Sequence, residues 1–106
     1  MTDYPRRPSL FEISAAVCRV YRIGFGDLCG SGRTRELIEA REVYIYLARE
    51  LTIHAYTTAS AHLGKASHSA RLESMQRAVA RYRADSEFRA KVERAREILR
   101  DKGATP

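Results

Sequence analysis

A chain of 106 residues, 44% hydrophobic and 30% charged, suffices for one domain with a buried core and is too short for a catalytic domain joined to a regulatory one. Nineteen Lys and Arg against 13 Asp and Glu leave a formal charge of +6, which favours a polyanionic partner such as nucleic acid or an acidic membrane surface. The two cysteines, Cys18 and Cys29, fall in no C-x-x-C or Cys/His spacing, and no segment is apolar for the length of a signal peptide or a bilayer span; packed, reduced thiols and a cytoplasmic location are expected.

Residues 1–8 hold two prolines and two arginines with almost nothing to bury and read as a flexible basic arm. Ser9 and Glu12 have the spacing of a capping box, so a first helix should start there. Leu10, Ile13, Val17, Val20 and Tyr21 carry it on one face to about Arg22, where Gly24 and Gly26 are expected to stop it. Asp27-Leu28-Cys29 allows a short helical turn that passes into the glycine-rich loop Gly30-Ser31-Gly32-Arg33. That loop is no P-loop, because no Gly-Lys-Ser/Thr occurs and no strand precedes it.

A long helix is expected from about Thr34 to Thr52, burying Leu37, Ala40, Tyr44, Leu47, Ala48 and Leu51; Ile45 and Tyr46 widen the stripe and imply packing on two sides. Thr57 is expected to cap a short helix through His62 and Leu63, with Gly64 turning the chain. Ser67 then caps a longer helix whose Leu72, Met75, Val79 and Tyr82 share a face. Asp85 or Ser86 opens a last helix with Phe88, Val92, Ala95 and Leu99 inward, and Gly103 with Pro106 marks its end. The fold class is therefore all-α, a compact helical domain with an additional C-terminal helix.

A short helix, a glycine turn and a longer capped helix on a supporting long helix have the order of a helix-turn-helix, and an ordinary helical hairpin has the same order. On the first reading Ser67, His68 and Ser69 would meet base edges in the major groove, while Lys65 and Arg71 would meet phosphates. An arginine on a glycine tether, Arg33, suits the negative potential of a narrow minor groove, and Arg35 sits at a helix start where only a phosphate compensates its charge; a solvated loop with Arg35 paired to Glu39 is the alternative. Arginines crowding the last third are expected on solvated faces in pairs such as Arg89 with Glu93, and Glu36, Glu39, Glu42 and Glu50 read as the polar face of the long helix. His54, His62 and His68 are too irregularly spaced for a zinc pair, no G-x-S-x-G elbow occurs, and nothing marks a base for either cysteine. Neither an enzyme, nor a metal, nor a cofactor is expected.

Asp27-Leu28, Arg33-Thr34-Arg35, Ala40-Arg41 and Tyr46-Leu47-Ala48-Arg49-Glu50-Leu51-Thr52, continued by Leu63-Gly64 and His68-Ser69, resemble the C-terminal DNA-binding domain of the bacterial chromosomal replication initiator DnaA. The resemblance covers roughly residues 10–83. It implies a Trp-repressor-like all-helical domain in which a basic loop enters the minor groove and a helix-turn-helix the adjacent major groove. Arg33 falls on the family's minor-groove arginine, Thr34, Arg35 and Arg41 on positions associated with backbone contact, and Arg49 on a basic position near phosphate. The family's Gly-Gly-Arg-Asp-His-Thr-Thr reads Gly64-Lys65-Ala66-Ser67-His68-Ser69-Ala70 here, which keeps the histidine and one hydroxyl, replaces the acidic base reader with Ser67, and implies a relaxed or altered box.

The expectation is thus a basic arm over 1–8, a helical DNA-binding domain over 9–102 and a tail over 103–106. Its partner is double-stranded DNA, read at a DnaA-box-like site in replication or transcription regulation in the bacterial nucleoid. Met1 and the arm are read as those of a small independent protein. The other class is a protein-interaction module on the same scaffold, using Tyr46, Tyr56 or the last helix to hold a partner.

Overall fold

The Glu12 amide donates to Ser9 Oγ at 3.1 Å and the Ser9 amide to Glu12 Oε1 at 2.8 Å, the reciprocal pair that satisfies a helix start. In this computed structural model, which describes residues 8–52, 56–64 and 71–104, the helix so capped is α1, Leu10–Tyr21. Pro8, assigned above to the arm, is buried. The expected glycine stop is corrected: Arg22 itself takes the left-handed conformation at φ 58° and donates its amide to Cys18 O. Gly24 instead precedes α2, Phe25–Cys29, and Gly26 lies inside it.

Thr34 caps α3, Arg35–Leu51, by accepting the Leu37 amide on Oγ1 at 3.3 Å, and Thr52 closes it with a hydroxyl donated to Ala48 O at 2.6 Å. Ala40, Val43, Tyr44, Leu47, Ala48 and Leu51 are buried at spacings of three and four. α3 touches all five other helices, so the two-sided packing inferred from Ile45 and Tyr46 is real and α3 is the central rod. Glu42, expected on the polar face, is buried within it.

α4, Tyr56–His62, begins one residue before Thr57, which is therefore inside the helix rather than its cap. Leu63 and Gly64 turn the chain, Gly64 at φ +74°, the conformation for which glycine was expected. α5, Arg71–Ala84, follows; the Ser67 cap lies outside the described residues. Among its described side chains the small Ala78 is fully buried and Met75 and Tyr82 are only partly covered, and α5 packs on α3. α6, Ser86–Ala104, runs through Gly103 rather than ending there. Phe88, Val92, Ala95 and Leu99 are all buried, and α6 packs on α1, α3 and α5.

The described residues thus form an all-α domain with no strand, its core shared by α1, α3 and α6. No helix among them is long and apolar enough to cross a membrane. Burial, followed by the nearby Cys29 and Asp27, pushes the Cys18 thiol above its ordinary value, as suits a packed side chain.

Asp85 starts α6 by accepting the Glu87 amide at 3.0 Å and the Phe88 amide at 3.2 Å on Oδ1. The Phe88 amide above all, then Arg81, holds its carboxyl below the ordinary 3.8. A carboxyl whose folded value is depressed stabilises the fold fully above the unfolded value and loses that contribution as pH falls through the folded value. Thermal scans are therefore expected to show a constant Asp85 contribution above the ordinary carboxylate range and its disappearance below 3.8, with Asp85→Ala less stable than the parent at pH 7 and its deficit shrinking in acid.

Candidate nucleic-acid interface

The loop between α2 and α3 is built on one side chain. Arg41, a turn and a half into α3, donates from Nε to Leu28 O at 2.8 Å, from Nη2 to Asp27 O at 3.1 Å and Gly30 O at 2.8 Å, and from Nη1 to Gly32 O at 2.7 Å. A Cβ on Gly32 would stand 2.8 Å from Leu37 Cδ1, so the loop backbone lies directly on the first turn of α3. The next residue is Arg33, which is exposed.

Arg33, Arg35 and Arg49 are all exposed, and none has an acidic partner among the described residues. Arg35 is the first residue of α3 and Arg49 is in its last turn, about 21 Å apart along the axis at the helical rise. Thr34 spends its hydroxyl oxygen on the helix cap. The anticipated Arg35–Glu39 pair is absent, because Glu39 faces inward: it accepts the Tyr21 hydroxyl and an Arg81 Nη2 bond at 3.1 Å, with Lys91 Nζ at 3.9 Å. Burial, then this bond to Glu39, pushes the Tyr21 phenol up, so Tyr21 remains a donor.

The helix-turn-helix consists of α4, the turn at Leu63 and Gly64, and α5. Lys65, Ser67, His68 and Ser69 lie outside the described residues, as does the side chain of Arg71, the first residue of α5. α4 is fastened to α3 by the buried Tyr44 hydroxyl, which donates to Ala59 O at 2.7 Å, and His62 stacks on Tyr44 with its Nε2 3.3 Å from Ser14 Oγ. α5 is fastened by Glu42, which takes Arg81 Nη1 at 2.7 Å and Arg77 Nε at 3.2 Å.

Of the arginines of the last third, Arg77, Arg83, Arg94 and Arg100 are exposed, as expected, whereas Arg81, Arg89 and Arg96 are partly covered. Arg77 and Arg81 hold Glu42, and Arg96 holds Glu50 at 2.6 Å and Glu93 at 3.3 Å. Arg89 donates to the carbonyls of Tyr82 and Arg83 instead of pairing with Glu93. Sequence reasoning missed this clasp, though its signal was present: two acids one turn apart, Glu39 and Glu42, against two arginines one turn apart, Arg77 and Arg81. Glu39 and Glu42 of α3 are thus spent on α5 and α6 rather than on the exposed Arg35 and Arg49. No group of three or more potential metal ligands occurs among the described residues.

Residues 11–83 match the family described as "Bacterial dnaA protein helix-turn-helix". The chromosomal replication initiator protein DnaA of Sphingopyxis alaskensis is 33% identical over 93 residues, covering 88% of this chain and 20% of the relative. Those of Thermomicrobium roseum and a Bradyrhizobium species are 30% identical over 91 residues and 28% over 97, covering 86% and 92% of this chain and 20% of each relative. The chain therefore spans about a fifth of the length of these relatives. By this match over residues 11–83 and these relatives, the chain belongs to the bacterial DnaA helix-turn-helix family.

Proposed function

We propose that this domain binds double-stranded DNA at a DnaA-box-like site, in replication initiation or transcription regulation, with two elements in adjacent grooves. Arg33 enters the minor groove. Ser67, His68 and Ser69, ahead of α5, meet base edges in the major groove, and Arg35, Arg49, Lys65 and Arg71 meet phosphates. The observation that carries this reading is the exposure of Arg33, Arg35 and Arg49 with no acidic partner among the described residues, while Glu39, Glu42 and Glu50 of α3 are taken by Arg77, Arg81, Lys91 and Arg96. Family membership supports the same reading. Tyr46, which the protein-interaction alternative would use, stacks on Tyr82 at 4.6 Å, and the apolar face of α6 is core.

Titration of labelled duplex at near-physiological salt with random competitor tests it. Arg33→Ala is expected to weaken the preferred site by ~1–3 kcal/mol more than random duplex. Arg49→Ala is expected to weaken all sequences alike and to shallow the salt slope by about 1. Association that appears only at low salt, equal for every sequence and for both variants, would refute the proposal.

A further inference from the structure

We infer that Arg41 is a positioning residue for the arginine loop, not a phosphate contact: it holds the loop backbone in the one shape from which Arg33 can enter a groove. The inference rests on the DNA-binding reading for its purpose, but its geometry stands apart from it. A guanidinium has five N–H donors in a rigid fork, and four of Arg41's are committed to the carbonyls of Asp27, Leu28, Gly30 and Gly32 at 2.7–3.1 Å. Two of those carbonyls, of Asp27 and Leu28, belong to the end of α2, where a cation is favoured. The other two belong to glycines, whose backbone would otherwise sample the widest range of conformations.

One planar group thus joins the end of α2 to the loop and to α3. Arg33 follows immediately after Gly32, the last carbonyl held. The resemblance assigned Arg41 to backbone contact on DNA; a phosphate could claim it only by displacing these four carbonyls. Ordering the loop before binding removes an entropic cost that Arg33 would otherwise meet at the groove.

Lysine keeps the charge of Arg41 but, as a compact ammonium with three donors, cannot span four carbonyls. Arg41→Lys is therefore the discriminating variant, measured beside Arg33→Ala and the double variant on preferred and random duplexes. Arg33→Ala is expected to lower preference for the preferred duplex about tenfold, Arg41→Lys to lower it as far, and the double variant to be no worse than Arg33→Ala. Full retention of preference by Arg41→Lys, or losses that multiply in the double variant, would overturn the inference. Backbone order of residues 30–34 in the free protein, from nitrogen-15 relaxation, separates this from failure of the DNA reading. If Arg33→Ala proves silent, the DNA reading falls while loosening of 30–34 in Arg41→Lys still upholds the clamp, and unchanged order overturns it.

Discussion

Phe88→Ala is expected to lower the unfolding free energy by ~3–5 kcal/mol, the usual cost of emptying a large aromatic site in a core. Phe88 is fully buried, on the first turn of α6, with the Arg81 guanidinium 5.0 Å from its ring centroid. Its loss therefore removes apolar contact and also the surface on which Arg81 is oriented toward Glu42 and Glu39. α6 lies beyond residues 11–83, the stretch that matches the family, yet Phe88, Val92, Ala95 and Leu99 all belong to the core. The helix is thus part of this fold rather than an appendage. Since small domains are stable by about 5–15 kcal/mol, the substitution should consume a large share of the total. Urea denaturation checks it: the midpoint should fall steeply at an unchanged slope, and a shift under ~1 kcal/mol would mean that α6 does not seal the core.

Glu42→Ala should cost about 2–3 kcal/mol, short of the ~3–5 for removing one partner of a wholly buried pair, because its partners are partly solvated. The Glu42 side chain is 9% exposed, against 27% for Arg81 and 55% for Arg77. Removing the carboxylate leaves two guanidinium groups facing each other with only Glu39 and Asp85 on the Arg81 side to compensate. Glu42→Gln, which keeps the shape and an acceptor, should fall between the parent and the alanine variant. Because this clasp joins α3, which carries the arginine loop, to α5, Glu42→Ala is also expected to weaken duplex binding although no DNA contact is assigned to it. Calorimetric unfolding and duplex titration on the same samples check both parts. Parent-like stability would show that the clasp is solvated in solution.

Periodicity made the helices legible because apolar residues had one task. Ile13, Val17, Ala40, Tyr44, Leu47, Phe88, Val92, Ala95 and Leu99 recur at helical spacing and all are buried. Capping was equally readable at Ser9 and Asp85, where a short polar side chain precedes an apolar run, whereas Thr57 was misread as a cap. The first helix stop was misread because glycine is the usual residue for a left-handed turn, and here Arg22 accepts that conformation. The polar residues hid more. Charge along one helix does not say which charged residue on another will meet it, so Glu42 and Arg81 looked solvated until tertiary packing brought them together. Arg41 was legible as a cation of the interface, but its engagement depends on where four carbonyls of a glycine-rich loop converge, which no side-chain pattern encodes.

Two-groove recognition is best tested by selecting bound duplexes from a randomised pool with the parent and with Arg33→Ala in parallel. The parent is expected to enrich a motif with a base-specific half beside an A·T-rich half, and the variant to keep the first and lose the second. No enriched motif, or the same complete motif from both proteins, would contradict it.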